Sequence, residues 1–343
     1  MKILVAGPSW VGDMVMAQSL FRCLAEEHPG VLIDVLAPEW CRPLLERMPE
    51  VNAALQMPIG HGELALGKRR RLGHELRAQA YDQAIVLPNS FKSALVPRFA
   101  GIPRRTGWRG EKRGWLLNDC RDLDKQRYPL MVQRFAALAY PPGHNLPDPL
   151  PAPRLRQDTE QARALHERFG LGASHGVVGL CPGAEFGPAK QWPARHYAAL
   201  AQAMVDEGRQ VWLFGSARDA AVAEAIIEQV HAAQRANCHN LCGATSLGEA
   251  VDLLGECALV VSNDSGLMHV AASLGRPLVV PYGSTSAAFT PPLGTRAKLL
   301  SLNLSCSPCF KRECPLRHLD CLNRLEPVQV LTAACELLAT SES

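Results

Sequence analysis

Two doubly wound α/β domains are what this sequence predicts, and three observations predict them. Short apolar runs alternate with helical periodicity along the chain, the pattern of parallel strands joined by covering helices. At 343 residues the chain is longer than one hydrophobic core usually serves. The alternation pauses once, where Pro141, Pro142, Pro147, Pro149, Pro151 and Pro153 crowd together. Such a run cannot form helix and favours stiff, extended backbone. The expected division is residues 1–153, with the linker at 141–153, and residues 154–343, the two domains facing a central cleft. The C-terminal helix is left free to pack back on the first domain.

In the first half, Lys2–Ala6 reads as a strand and Val15–Ala25 as a helix with apolar spacing at Val15, Leu20 and Leu24. Val31–Leu36 is a second strand, Trp40–Met48 a helix and Gln83–Leu87 a further strand. In open parallel sheets ligands bind beyond the carboxyl ends of the strands. The loop after the first strand, Gly7-Pro8-Ser9-Trp10-Val11-Gly12-Asp13, is therefore a candidate site. It lacks the Lys-Ser/Thr of a phosphate loop and the G-x-G-x-x-G dinucleotide spacing, which argues against a nucleotide there. Asp13 falls near the first turn of a helix, either as a reactive carboxylate or as a simple dipole partner. Asn89-Ser90-Phe91-Lys92-Ser93 is a second loop at the same edge. The stretch from Arg104 to Arg113, with Arg105, Trp108 and Arg109, reads as a basic loop. Its arginines suit phosphate and its indole suits a sugar face.

The second half restarts the rhythm. Helices are expected at Asp158–Phe169, Pro193–Asp206, Ala220–Val230, Leu247–Leu254 and Pro327–Leu338, and strands at Gly176–Cys181, Gln210–Phe214, Ala258–Val261 and Pro277–Pro281. Three strand ends carry glycine loops: Gly183-Ala184-Glu185-Phe186-Gly187-Pro188-Ala189-Lys190, Gly215-Ser216, and Asn263-Asp264-Ser265-Gly266. A helix start at Ser265-Gly266 offers unpaired N–H groups and partial positive charge, a ready anion site. Asp264 is expected to cap that helix through its carboxylate. His269 lies one turn on, on the side of Ser265. With Lys190 to neutralise phosphate, the three loops read together as a nucleoside-diphosphate site.

The bulk numbers bound the partners. A 47% hydrophobic and 20% charged composition is that of an ordinary globular protein, and no run approaches the ~20 apolar residues of a membrane span. The N-terminus is too soon broken by Pro8 to be a secretory signal, so the twelve cysteines are expected as reduced thiols in a cytosol. Net charge is +3, but Lys68 to Arg127 holds fifteen Lys/Arg and six Asp/Glu, a local +9 against −6 elsewhere. That asymmetry suggests an anionic partner: a phosphorylated glycan, an anionic membrane surface or a nucleic acid. No recognised nucleic-acid motif accompanies it, so no nucleic acid is expected.

The first-strand loop, the Pro182–Lys190 loop and Asn263-Asp264-Ser265-Gly266-Leu267-Met268-His269 resemble the ADP-heptose:lipopolysaccharide heptosyltransferases. Leu87-Pro88-Asn89-Ser90-Phe91-Lys92-Ser93 and Arg105-Thr106-Gly107-Trp108-Arg109-Gly110 lean toward the members that add the second heptose of the inner core. The resemblance covers residues 1 to about 300. It implies a GT-B fold, acceptor bound by the N-terminal domain and ADP-heptose by the C-terminal one, and inverting transfer without a metal or other cofactor. The implied donor residues are Gly183, Ala184, Glu185, Lys190, Gly215, Ser216, Asp264, Ser265, Gly266 and His269. The implied acceptor residues are Ser9, Trp10, Gly12, Asn89, Ser90, Lys92, Arg105, Trp108 and Arg109, with Asp13 the base and Lys190 its electrostatic counterpart. The implied acceptor is a phosphorylated lipopolysaccharide core on Kdo2-lipid A, met at the cytoplasmic membrane's inner face by a peripheral, cytoplasmic protein.

Two motifs stand apart. Asp122-Leu123-Asp124 matches the D-x-D of metal-dependent transferases but lies before a helix expected at Pro129–Ala139, away from the donor loops. Cys306-x2-Cys309-x4-Cys314-x6-Cys321 has the density of a zinc or redox site with spacing irregular for a zinc ribbon. Bound metal, free thiols and disulfides all remain open for it.

Overall fold

In the computed structural model, which describes residues 1–60, 62–172 and 176–340, the longest apolar runs become the inner strands of two parallel sheets. The chain divides into two compact units, Met1–Leu155 and Arg156 onward. The proline strap belongs to the first unit because it is bonded there. Gln18, buried on helix Val11–Glu27, donates to the Arg154 carbonyl (2.8 Å) and accepts from its N–H (2.8 Å). Arg22 donates to the Ala152 carbonyl.

The first sheet contains β1 (Lys2–Ala6), β2 (Leu32–Ala37), β3 (Val51–Gln56), β4 (Gln83–Val86), β5 (Arg104–Trp108) and β6 (Asp119–Arg121). Their order is β3-β2-β1-β4-β5-β6, every pairing parallel. The second contains β7 (Val177–Cys181), β8 (Gln210–Leu213), β9 (Cys238–Asn240), β10 (Leu259–Ser262), β11 (Leu278–Pro281) and β12 (Ala297–Leu300), ordered β12-β11-β10-β7-β8-β9. Counted from its own first strand, each sheet has the order 3-2-1-4-5-6 of a dinucleotide-binding fold. The chain reverses direction across the sheet between β1 and β4, and again between β7 and β10. Loops leaving those strands at their carboxyl ends are splayed apart there, which makes room for a ligand.

The sequence reading loses the sheet edges. β3 has no fully buried residue and β12 is half-exposed, so neither has the apolar run of a buried strand. β5 is the largest correction. Arg104–Trp108, expected as loop, pairs with β4 from Gln83 opposite Arg104 to Val86 opposite Gly107. The helix expected at Trp40–Met48 shortens to a turn at Glu39–Cys41 and a single helical turn at Arg42–Leu45. The helix Leu66–Leu76 hides behind Lys68-Arg69-Arg70-Arg71 and buries one narrow face through Arg69, Gly73 and Leu76. The C-terminal helix, Pro327–Ala339, packs on the core of its own unit. Val330, Ala333, Ala334, Leu337 and Leu338 join the core built by β7, β8, β10 and helix Ala194–Asp206.

Candidate active site

At the β7/β10 switch point one buried side chain ties two loops together. Asn263, fully buried, donates to the carbonyls of Pro182 (2.7 Å) and Gly183 (3.3 Å), where the loop after β7 begins. Its carbonyl oxygen accepts from the Trp192 N–H (3.0 Å), where that loop ends, and from the Tyr197 hydroxyl (3.0 Å). Trp192 is itself fixed, its indole N–H donating to Leu325 O at 2.8 Å. Both ends of Gly183–Gln191 are thus set against the strand that leads to the anion-site helix. Sequence alone assigns Asn263 no role, because an amide in a polar loop looks like any turn residue until its four partners are seen.

The helix opens one residue later than a capping aspartate would require. It runs Gly266–Ser273 with Ser265 as N-cap in extended backbone, and no side chain caps it. Asp264 does not cap it, because its carboxylate is engaged elsewhere: Oδ2 accepts from Lys190 Nζ at 2.7 Å. The same ammonium donates to the Asp264 carbonyl at 3.3 Å and lies 5.1 Å from the Phe186 ring centre. Lys190 therefore stands beside an uncapped helix start, preorganised by Asp264, with two of its three donors in use. Ser265 and Gly266 are half-exposed there. His269 is 6% exposed, and burial lowers its pKa to about 4, with Asp264 opposing and Lys190 reinforcing that shift. It is a neutral imidazole at neutral pH, able to hydrogen-bond but supplying no charge to an anion.

The third glycine loop joins the first through Asp219, to which the sequence alone assigns no role. Its Oδ2 accepts from the Ser216 N–H and hydroxyl, both at 2.8 Å. A Cβ on Gly183 would come within 2.6 Å of the same carboxylate, so the two loops meet only because Gly183 has none. Arg218 reaches Glu185 at 2.6 Å, an exposed pair between the loops. Gly183, Ala184, Glu185, Lys190, Gly215, Ser216, Asp264, Ser265, Gly266 and His269 all lie on these three loops or on the helix they frame.

In the first unit the β1/β4 switch point is flanked by the loops after those strands. Trp10 is the N-cap of helix Val11–Glu27, which places Asp13 in its first turn, half-exposed. Trp10 is 50% exposed, and the Ser9 carbonyl accepts from the Trp40 indole at 3.0 Å. Gly12 and Ser90 are half-exposed, as is Lys92, and Asn89 is exposed.

Arg113, also unassigned from sequence, organises the loop after β4. It is fully buried and donates to the carbonyls of Pro88 and Trp108, to Ser93 Oγ at 3.0 Å and to Asn89 Oδ1 at 3.0 Å. Burial lowers its pKa to about 10, still a cation at neutral pH.

One expected acceptor contact is corrected here, and a second is partly engaged within the protein. Trp108 offers no sugar platform: it is 6% exposed at the end of β5, its N–H donating to Arg134 O at 2.9 Å. Arg105, half-exposed, donates from Nε to the Leu116 carbonyl (2.7 Å) and from Nη1 to the Ile102 carbonyl (2.5 Å). Trp115, 69% exposed and 5.9 Å from the Phe91 ring, is the indole of this stretch that faces solvent. Arg109 is exposed and pairs with Asp122 at 2.6 Å. That pair also occupies the D-x-D motif, whose Asp124 accepts from the N–H groups of Gln126 (2.8 Å) and Arg127 (3.1 Å).

Comparisons with known proteins give the family. The family model described as glycosyltransferase family 9 (heptosyltransferase) matches residues 69–320. The chain is 52% identical to lipopolysaccharide heptosyltransferase 2 of Escherichia coli K12, covering all of both chains. It is 50% identical to lipooligosaccharide heptosyltransferase 2 of Haemophilus influenzae, over 88% of this chain and 89% of that one. The solved structure of E. coli ADP-heptose lps heptosyltransferase II superposes with a TM-score of 0.91 at 50% identity over all of both chains. The fold is accordingly GT-B, and the chain belongs to glycosyltransferase family 9, the heptosyltransferases.

Proposed function

We propose that this protein moves L-glycero-D-manno-heptose from ADP-heptose to the first heptose of the lipopolysaccharide inner core, with inversion at the anomeric carbon. The observation that carries the reading is the Lys190–Asp264 pair beside the uncapped start of helix Gly266–Ser273, at the second sheet's switch point. Backbone N–H groups, a helix dipole and an oriented ammonium are what a diphosphate leaving group needs as its charge grows. Asp13 takes the proton of the acceptor hydroxyl as that oxygen attacks the anomeric carbon. The bond to the diphosphate oxygen breaks with its electron pair, which leaves as ADP beside Lys190 and the helix N-terminus. The neutral His269 donates a hydrogen bond, and Gly183, Ala184, Glu185, Gly215 and Ser216 frame the rest of the donor.

On the acceptor side we assign the Ser9–Asp13 and Asn89–Lys92 loops, with Arg109 and the exposed Trp115 at the rim. The phosphates of the acceptor and anionic lipid headgroups meet the exposed part of the basic region, including Lys68, Arg70, Arg71, Arg98 and Lys112. No helix of the described residues is long and apolar enough to cross a membrane, so contact at the inner face is peripheral in this reading.

Calorimetric titration with ADP-heptose and with UDP-sugars tests the donor assignment. Lys190→Ala is expected to weaken ADP-heptose binding by about 10–100-fold, the usual worth of a charge-assisted hydrogen bond. Equal binding of both nucleotide classes, or an unchanged affinity in Lys190→Ala, would contradict it.

A further inference from the structure

One segment of the second unit has no part in this chemistry. Residues 301–319 form neither helix nor strand, an unusual length of irregular chain inside a compact unit. Cys306, Cys309, Cys314 and Cys321 from this segment and its border line one cavity of about 20 Å³, space for one water-sized or ion-sized occupant. Ser284 also lines it, and its hydroxyl is buried with no hydrogen-bond partner, a polar group waiting for one. Lys311, Arg312 and Arg317 stand exposed on the same segment, positive charge beside a group of thiols.

We propose that Cys306, Cys309, Cys314 and Cys321 bind one thiophilic divalent cation of the zinc class as a structural tetrathiolate site. Soft thiolate sulfur selects such ions over oxygen-seeking ones. His318 is the lesser candidate ligand, since its Nδ1 already accepts from the Asp320 N–H at 2.9 Å. Among the described residues, no three His, Cys, Asp or Glu side chains are already set to hold an ion. Binding therefore draws the sulfurs inward to about 2.3 Å from the metal and releases their thiol protons to solvent. Four thiolates around a dication leave two negative charges, which the neighbouring cations offset. The segment is worth fixing for what it holds. Arg312 Nε donates to Phe186 O at 2.6 Å, and Arg312 O accepts from the Ala189 N–H at 3.1 Å. Ala189 borders the same cavity, one residue before Lys190.

The test uses the full-length protein, purified under reductant without chelator and without nucleotide, so its outcome is independent of the donor-site reading. Elemental analysis is expected to find about one equivalent of zinc or iron per chain, the stoichiometry of a single structural site. Replacement by cobalt(II) should give a thiolate-to-cobalt charge-transfer band. Cys309→Ser and Cys321→Ser should lose the ion, while Cys335→Ser, outside the cavity, should keep it. If the serine variants fail to fold, the cobalt spectrum of the unmodified protein still decides. The proposal is overturned if that protein stays below about a tenth of an equivalent after zinc loading under reductant and shows no cobalt band. It is equally overturned by an intact mass showing these four thiols oxidised to two disulfides.

Discussion

Asp13→Ala is expected to lower turnover by about 10²–10⁴-fold, the usual worth of a positioned general base, while ADP-heptose affinity stays unchanged. Turnover with saturating donor, set beside calorimetric donor binding, separates the two; near-normal turnover would remove Asp13 from the mechanism. His269 makes a different prediction. Its pKa falls from 6.5 in the unfolded chain to about 4 in the fold, so between these values the unfolded state holds the extra proton. Its contribution is fully present above about pH 6.5 and is lost as pH falls toward 4, amounting to about 3 kcal/mol at the acid end. Denaturant titrations from pH 7 to 4 should show that slope flattened in His269→Gln; an unchanged slope would place the neutral imidazole elsewhere in the account. From sequence His269 could be placed on the right helix face, but its charge state depends on burial, which one helix turn does not disclose.

At the scale of elements, the donor loop is held at three points, and two substitutions probe them separately. Asn263→Ala strands the partners of one amide in a buried setting and is expected to cost about 2–4 kcal/mol in a melt or denaturant titration. Gly187→Ala places a Cβ within 2.5 Å of Arg312 O at a φ of +151°, a conformation side chains rarely adopt. It should cost about 1–3 kcal/mol and also weaken donor binding, because the displaced residues lead directly to Lys190. A Gly187→Ala protein with normal stability and donor affinity would mean that the loop adapts freely. The three glycine loops were legible because glycines after apolar runs mark strand ends. Asp219, Asn263 and Arg113 were not, since each earns its role from partners distant in sequence. β5 failed for a related reason: Arg-Arg-Thr-Gly-Trp has no strand periodicity, and its place comes from β4 on one side and β6 on the other.

At the scale of the molecule, the repeated α/β rhythm and the proline strap were enough to read two doubly wound units, because parallel sheets buried on both faces leave continuous apolar runs in sequence. The charge asymmetry read less well. Arg69, Arg113 and Arg121 are buried at 4%, 0% and 7% exposure and hold main-chain carbonyls, so part of the +9 region is scaffold rather than anion-facing surface. What stays exposed predicts salt-sensitive association with vesicles containing anionic lipid, weaker in Arg70→Ala/Arg71→Ala; salt-independent association would point to apolar contact instead.

Transfer from ADP-heptose to defined inner-core acceptors tests the central claim most directly. The acceptor carrying one heptose is expected to be extended by one residue, with inversion, far faster than the acceptor carrying none, and Asp13→Ala should slow the reaction by about 10²–10⁴-fold. Preference for the heptose-free acceptor, or no transfer from ADP-heptose to either, would contradict the account.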